Sequence, residues 1–193
     1  MTEALTVYRR SALEDSDCLH RLKALWLDGV PDDSDYALFG QAFHKISHRY
    51  VLRLVARGLE ADADEARAAF AEGIASHQTP TRLIPELREL WMRHAEVFTL
   101  DLKKFLAAEQ RLELHGVSGA LDLVYADPQT LEVIDWKTFH VMLTETEARQ
   151  SFQARIYTLL ARERFPNFPM YRFTFWFVRF NKAVSVVFTP ADL

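Results

Sequence analysis

The stretch Gly119-Ala-Leu-Asp122-Leu-Val-Tyr-Ala-Asp127-Pro128-Gln-Thr-Leu-Glu-Val-Ile-Asp135-Trp-Lys137-Thr138 decides how the chain is read. Two apolar runs flank Asp127-Pro128, a strong turn signal, and read as adjacent strands of a hairpin. The hairpin brings Asp122 beside Asp135, and Lys137 shares the face of Asp135 because side chains alternate along a strand. Two carboxylates and one ammonium then converge at one end of a sheet. An Asp-x-Lys step on a strand also fits a solvated face or a cross-strand ion pair. Here it lies among Val133, Ile134 and Trp136, where unpaired charge is costly. Mg²⁺ and Mn²⁺ are hard cations held by a few carboxylates, and such an ion activates water and neutralises charge on a phosphate. The chemistry indicated is hydrolysis of a phosphodiester.

Working outward, Leu112 and Leu114 form the end of a preceding strand, joined to Val117–Tyr125 by a tight connection at His115-Gly116, and Leu131–Lys137 is the third strand. Thr144 and Glu147 make a capping box that opens a helix to about Arg164, before Pro166. Two more strands, Tyr171–Phe180 and Val184–Thr189, read as a hairpin turning at Asn181-Lys182.

Upstream of Phe105 the periodicity is helical. Ser11 and Glu14 form a capping box ahead of Leu19, Leu22, Leu25 and Trp26, with Gly29 as the break and Val30–Asp35 as a loop. A helix over Ala37–Ala56 carries Phe39, Phe43, Ile46 and Tyr50 on one stripe and stops at Gly58; an alanine-rich helix follows over Ala63–Ala75. Pro85 opens another, with Leu87, Leu90, Trp91, His94 and Phe98. The order of helices, three strands, a helix and two strands predicts a mixed α/β domain with a helical N-terminal cap. No repeat or linker divides residues 1–193, which are expected to form one domain: a helical part over about 1–104 and a catalytic α/β core over about 105–193.

Composition removes other classes. With 49% hydrophobic residues, six glycines and seven prolines in 193 residues, the chain is neither disordered nor collagen-like. The lone cysteine, Cys18, excludes an intrachain disulfide, and no Cys/His cluster reads as a zinc site. No apolar run has the length of a signal peptide or a membrane span, so a cytoplasmic protein with no membrane partner is expected. A net charge of −4 argues against coating nucleic acid by charge alone, but several acidic residues are what a metal-dependent nuclease needs. No phosphate-binding Gly-rich loop is present, so the sequence has no recognisable motor.

The string from Gly119 to Thr138 resembles the core of the PD-(D/E)XK nucleases, in the branch of the RecB nuclease domain and the CRISPR adaptation nucleases. That branch pairs a Gly-x-x-Asp strand with an Asp-x-Lys strand, often "IDYKT"; Trp136 takes the middle position here. It carries a downstream Gln-x-x-x-Tyr helix, matched by Gln153 and Tyr157, and an upstream helix with a glycine and a histidine, matched by Gly40 and His44. Ser11–Arg21, with Cys18, is similar to the family's opening, although Leu19 stands where a proline is usual.

The resemblance implies a restriction-endonuclease-like fold, a central mixed β-sheet flanked by helices. It implies that His44, Asp122 and Asp135 bind Mg²⁺ or Mn²⁺ with the Trp136 carbonyl, that Lys137 serves the attacking water, and that Glu109 is a further acidic residue near the metal. Glu113, four residues on, competes with Glu109 for that position. Gln153 and Tyr157 share a helix face and are candidates for positioning the substrate; Tyr157 also fits a core position. Arg149 and Arg155 read equally as phosphate contacts or solvated surface, and His140 as an incidental loop residue. The four-cysteine iron–sulfur cluster of some relatives cannot form on one cysteine. The implied activity is a DNA exonuclease of repair, recombination or phage DNA processing. A structure-selective endonuclease and a DNA-binding subunit of little activity are the alternatives. The implied partners are DNA, with a helicase or recombination protein, or further copies of the chain.

Overall fold

The computed structural model describes residues 8–9, 34–77 and 79–193. The expected first helix, with its Ser11–Glu14 capping box and Leu19–Trp26 stripe, lies outside the described residues, as do Cys18 and Gly29. Three helices lead: α1 (Asp35–Arg57), α2 (Ala63–Ser76) and α3 (Ile84–Val97), the last entered through a short 3-10 turn at Thr81–Leu83. The Ser34 hydroxyl caps α1 by accepting the Ala37 N–H at 3.2 Å. Gly58 ends it at φ 66, a left-handed conformation that lets the N–H groups of Gly58 and Leu59 close back on Val55 and Leu54. Arg53 and Arg57 on α1 grip the buried Glu65 of α2 at 2.5 and 2.8 Å.

The sheet comprises β1 (Tyr8–Arg9), β2 (Phe105–Leu114), β3 (Val117–Ala126), β4 (Thr130–Lys137), β5 (Met170–Phe177) and β6 (Lys182–Phe188). Pairs β2–β3, β3–β4 and β5–β6 are antiparallel, while β4–β5 and β1–β3 are parallel. This is a mixed sheet flanked by helices with a helical N-terminal layer, the restriction-endonuclease-like architecture that the sequence predicts. The two-residue β1 is too short to show a periodicity and was invisible in the sequence. No helix among the described residues is long and apolar enough to cross a membrane.

Each face of the sheet buries its own core. Phe39, Phe43, Ile46 and Tyr50 of α1 and Leu87, Leu90 and Trp91 of α3 pack on one face against Leu123, Ile134 and Trp136. The other face covers Val133, Phe173 and Phe175 with α5 (Phe152–Arg164), through Ala154, Tyr157, Leu160 and Ala161. His94 lies inside the first core, ringed by Phe43, Trp91, Phe98, Trp136 and Trp176 at centroid distances of 5.4 to 6.3 Å. Its Nδ1 has no hydrogen-bond partner, and burial pushes the imidazole down to about 4.

Two expected boundaries move. The helix predicted to run unbroken from Thr144 to Arg164 is two, α4 (Glu145–Gln150) and α5, because Ser151 leaves the helical region and its hydroxyl caps the Ala154 N–H at 3.4 Å. A serine side chain offers the backbone that alternative to helix continuation. The last hairpin turns over Val178–Asn181, not over two residues, since Val178 N–H bonds the Lys137 carbonyl at 3.0 Å and Arg179 Nε bonds that of Thr138 at 2.7 Å. The Phe180 N–H closes the turn on the Phe177 carbonyl at 3.1 Å, beyond the last ladder pair Phe177–Lys182.

Candidate active site

The site sits where two strands part. β4 leaves the β3 ladder after the Leu123–Ile134 pair, while β1 joins β3 at Val117 and Ser118. At that fork Asp122 turns its carboxylate toward the departing strand and accepts the Trp136 N–H on Oδ2 at 2.9 Å. A side chain thus satisfies a buried backbone donor that the ladder has left without a strand partner. The other oxygen, Oδ1, lies 3.0 Å from His44 Nδ1. His44 reaches it from α1 because the apolar stripe of that helix fixes which face meets the sheet.

Glu109 completes a first group. It lies level with Asp122 between the β2–β3 pairs Ala108–Leu123 and Gln110–Leu121, and its φ of 48 is left-handed. A non-glycine residue there stores roughly 1–3 kcal/mol of backbone strain, of the sort concentrated at functional sites. The ligand atoms of His44, Glu109 and Asp122 lie within 4.8 Å of one another. Glu113 is exposed and level with Ser118, outside this group.

Asp135, Lys137 and Gln153 form the adjoining group. Lys137 Nζ is 2.8 Å from Asp135 Oδ2 and donates to Gln153 Oε1 at 2.7 Å, while Gln153 Nε2 donates to Asp135 Oδ1. The buried Asp135 Oδ2 nevertheless receives no well-aligned hydrogen bond.

Electrostatics ties the groups together. Burial pulls the His44 imidazole down, but Asp122, with Asp135 behind it, outweighs this and leaves it raised to about 9. Burial, then the nearby Asp122, raises the Glu109 carboxyl. Asp135 is raised as well, by burial first, against the opposing Lys137 ammonium. Carboxylates pressed together with an imidazole at hydrogen-bond distance make a donor set that fits a divalent cation.

The remaining candidates divide. Trp136 is fixed by its N–H on Asp122 and by its ring, buried edge-on to His44 at 6.4 Å. Gln153 is buried and faces Asp135 and Lys137. Tyr157 packs in the core edge-on to Phe173 at 6.0 Å, directly over Gly119, where a Cβ would come within 2.6 Å of its ring. The glycine of the Gly-x-x-Asp strand thus lets α5 approach β3. Arg149 and Arg155 are not brought to the carboxylates: both are exposed, Arg149 reaches the Val187 carbonyl at 3.5 Å, and both act on Asp192 near the C-terminus. The sequence reading missed Lys45 and Arg111, exposed cations whose fields reach Glu109, and Tyr36, whose ring stands edge-on to His140 at 6.4 Å. Lys45, directly after His44, was the one with a legible signal.

Comparison with curated proteins gives no match. The family model of the PD-(D/E)XK nuclease superfamily, in contrast, matches residues 7–189, a span that takes in every strand of the sheet and both groups of site residues. The acidic fork of β3 and β4, with a lysine two residues beyond the second aspartate, therefore lies within a recognised family domain, and the chain belongs to the PD-(D/E)XK nuclease superfamily and is, on that ground, a nuclease and a hydrolase.

Proposed function

We propose that this protein is a Mg²⁺- or Mn²⁺-dependent deoxyribonuclease of the RecB-like branch. Its role is that of an exonuclease in DNA repair, recombination or phage DNA processing. It acts as one domain in the cytoplasm, with a helicase or recombination partner or as a homo-oligomer. One observation carries the reading: the group of His44, Glu109 and Asp122 adjoins Asp135 and Lys137 across the β3–β4 fork.

In this reading His44, Asp122, Asp135 and the Trp136 carbonyl would hold the ion, with Glu109 beside them. When bound, the ion supplies charge neutralisation at the phosphate and a lowered pKa for water. Lys137 orients the attacking water and sets a positive charge beside the scissile phosphate. Asp135 and Gln153 hold the ammonium, restricting an otherwise flexible side chain to one direction. The Trp136 N–H holds Asp122 in place before any substrate arrives.

The test incubates purified protein with linear and covalently closed DNA in Mg²⁺, Mn²⁺ or chelator. Metal-dependent degradation from ends is expected, abolished in Asp122→Asn and Lys137→Met. Metal-independent cutting, or full activity in either variant, overturns the mechanism, and cutting of closed circles replaces the exonuclease with an endonuclease. Titration calorimetry of His44→Ala is expected to show weakened ion binding; unchanged affinity removes the histidine from the ligand set.

A further inference from the structure

Beyond Lys137 the chain does something the chemistry of the carboxylates does not need. The Lys137 and Thr138 carbonyls are pinned by Val178 and Arg179, and Met142 and Leu143 return to pack on the α5 core. Between these anchors Phe139, His140 and Val141 project into solvent, Phe139 59% and Val141 75% exposed. Gly40 lies against Thr138, so Tyr36, one helical turn earlier on α1, is carried alongside the loop. Tyr36 is 77% exposed and meets the His140 ring edge-on, at 86° between planes. The Phe139 ring also lies 5.6 Å from Lys137 Nζ.

Tyr36 and His140 make an exposed ring pair, and Phe139, exposed and next to His140 in sequence, stands by the Lys137 ammonium; exposed apolar surface gathered beside a site marks contact. Their place selects the partner. Phe139 is two residues past Lys137, and its ring lies within 5.6 Å of the ammonium that faces the carboxylates. A base near a phosphate at the carboxylates therefore falls within reach of the rings. Exposed Lys45 and Arg111 lie toward β2, at the other end of the carboxylate row, where they suit the phosphates of a strand passing over the site. A base stacked inside a duplex offers no free face, and opening a step to admit a ring costs a few kcal/mol, so exposed rings favour an unpaired base.

We propose that Tyr36, Phe139 and His140 form a stacking platform for an unpaired nucleobase beside the site, which makes a single-stranded segment the nucleic acid the protein engages. The proposal rests on the reading of the site as a nuclease centre and narrows its substrate.

The test is fluorescence anisotropy in Ca²⁺ with a labelled oligothymidylate and a covalently closed, relaxed duplex minicircle, which has no unpaired bases, both checked intact afterwards. The wild-type protein is expected to prefer the single strand. Tyr36→Ala and Phe139→Ala each lower that affinity roughly 5- to 150-fold and leave the minicircle affinity unchanged, while Phe139→Trp retains binding. Equal affinity of the wild type for the two DNAs, or equal losses on both, overturns the platform. A loss confined to Phe139→Ala overturns it too, by assigning the effect to the neighbouring Lys137. Substitutions that shift an oligomeric equilibrium with strand affinity intact assign the patch to protein contact instead. Binding is read without cleavage, so failure here and failure of the nuclease reading are separate results.

Discussion

Replacing His94 by phenylalanine tests whether the first core contains an acid-labile group. In the folded protein the imidazole sits among five aromatic rings and is pushed down to about 4, against an ordinary value of 6.5. Below pH 6.5 the unfolded chain therefore binds a proton that the folded one refuses, and stability falls as the pH drops toward 4. Between pH 7 and 5 the loss from this one group comes to about 2 kcal/mol. For a chain of this size that is a decrease of about 4–8 °C in Tm. His44 has the opposite sign: raised to about 9, its contribution is full below pH 6.5 and is lost as the pH rises through 9. That term is common to both proteins and cancels in their difference. Urea unfolding followed by tryptophan fluorescence at pH 7, 6 and 5 gives the comparison, with the wild type losing about 2 kcal/mol more than His94→Phe on acidification. Curves for the two proteins that stay parallel within about 0.5 kcal/mol over this range would falsify the assignment of a buried neutral histidine.

Gly119→Ala is expected to destabilise the protein by about 1–3 kcal/mol, because its Cβ meets Tyr157 Cε1 at 2.6 Å and Leu160 Cδ1 at 3.1 Å; Tyr157→Leu in the same chain should recover part of the loss, and an unchanged Tm refutes the close approach. Gln153→Met removes the bridge between Lys137 and Asp135 without touching the open side of the site. In DNA cleavage kcat should fall about 10- to 100-fold with KM unchanged, whereas a raised KM would assign Gln153 to substrate contact.

Much of the fold is written in local spacing. The apolar stripe Phe39, Phe43, Ile46 and Tyr50 specifies α1 and the face it buries, and that face in turn carries His44 to the sheet. The His115-Gly116 turn adopts φ values of 48 and 80 and closes β2 onto β3. The period of two along β4 places Asp135 and Lys137 together, and they are found 2.8 Å apart. The larger boundary shifts came at Ser151, whose hydroxyl offers the backbone a partner other than helix continuation, and at the turn between β5 and β6, closed by the Phe180 N–H on Phe177.

What spacing cannot carry is the register between distant segments. Glu109 and Glu113 are equivalent on a strand read alone; pairing with β3 sets one level with Asp122 and the other with Ser118, about 13 Å further along. Gln153 and Tyr157 share a helix face, yet packing turns the first onto Lys137 and seals the second over Gly119. Arg149 and Arg155 are drawn toward the end of β6 by partners no local pattern reveals, and Tyr36 meets His140 only because α1 crosses the end of β4 at Gly40. The sequence by itself determined most of the longer elements, the acidic fork and its lysine, since these follow from periodicities of two and 3.6 residues. Tertiary structure alone decided which carboxylates crowd together, which groups lost their water and which rings stayed exposed, because burial and inter-strand register arise only when the helices close on both faces of the sheet.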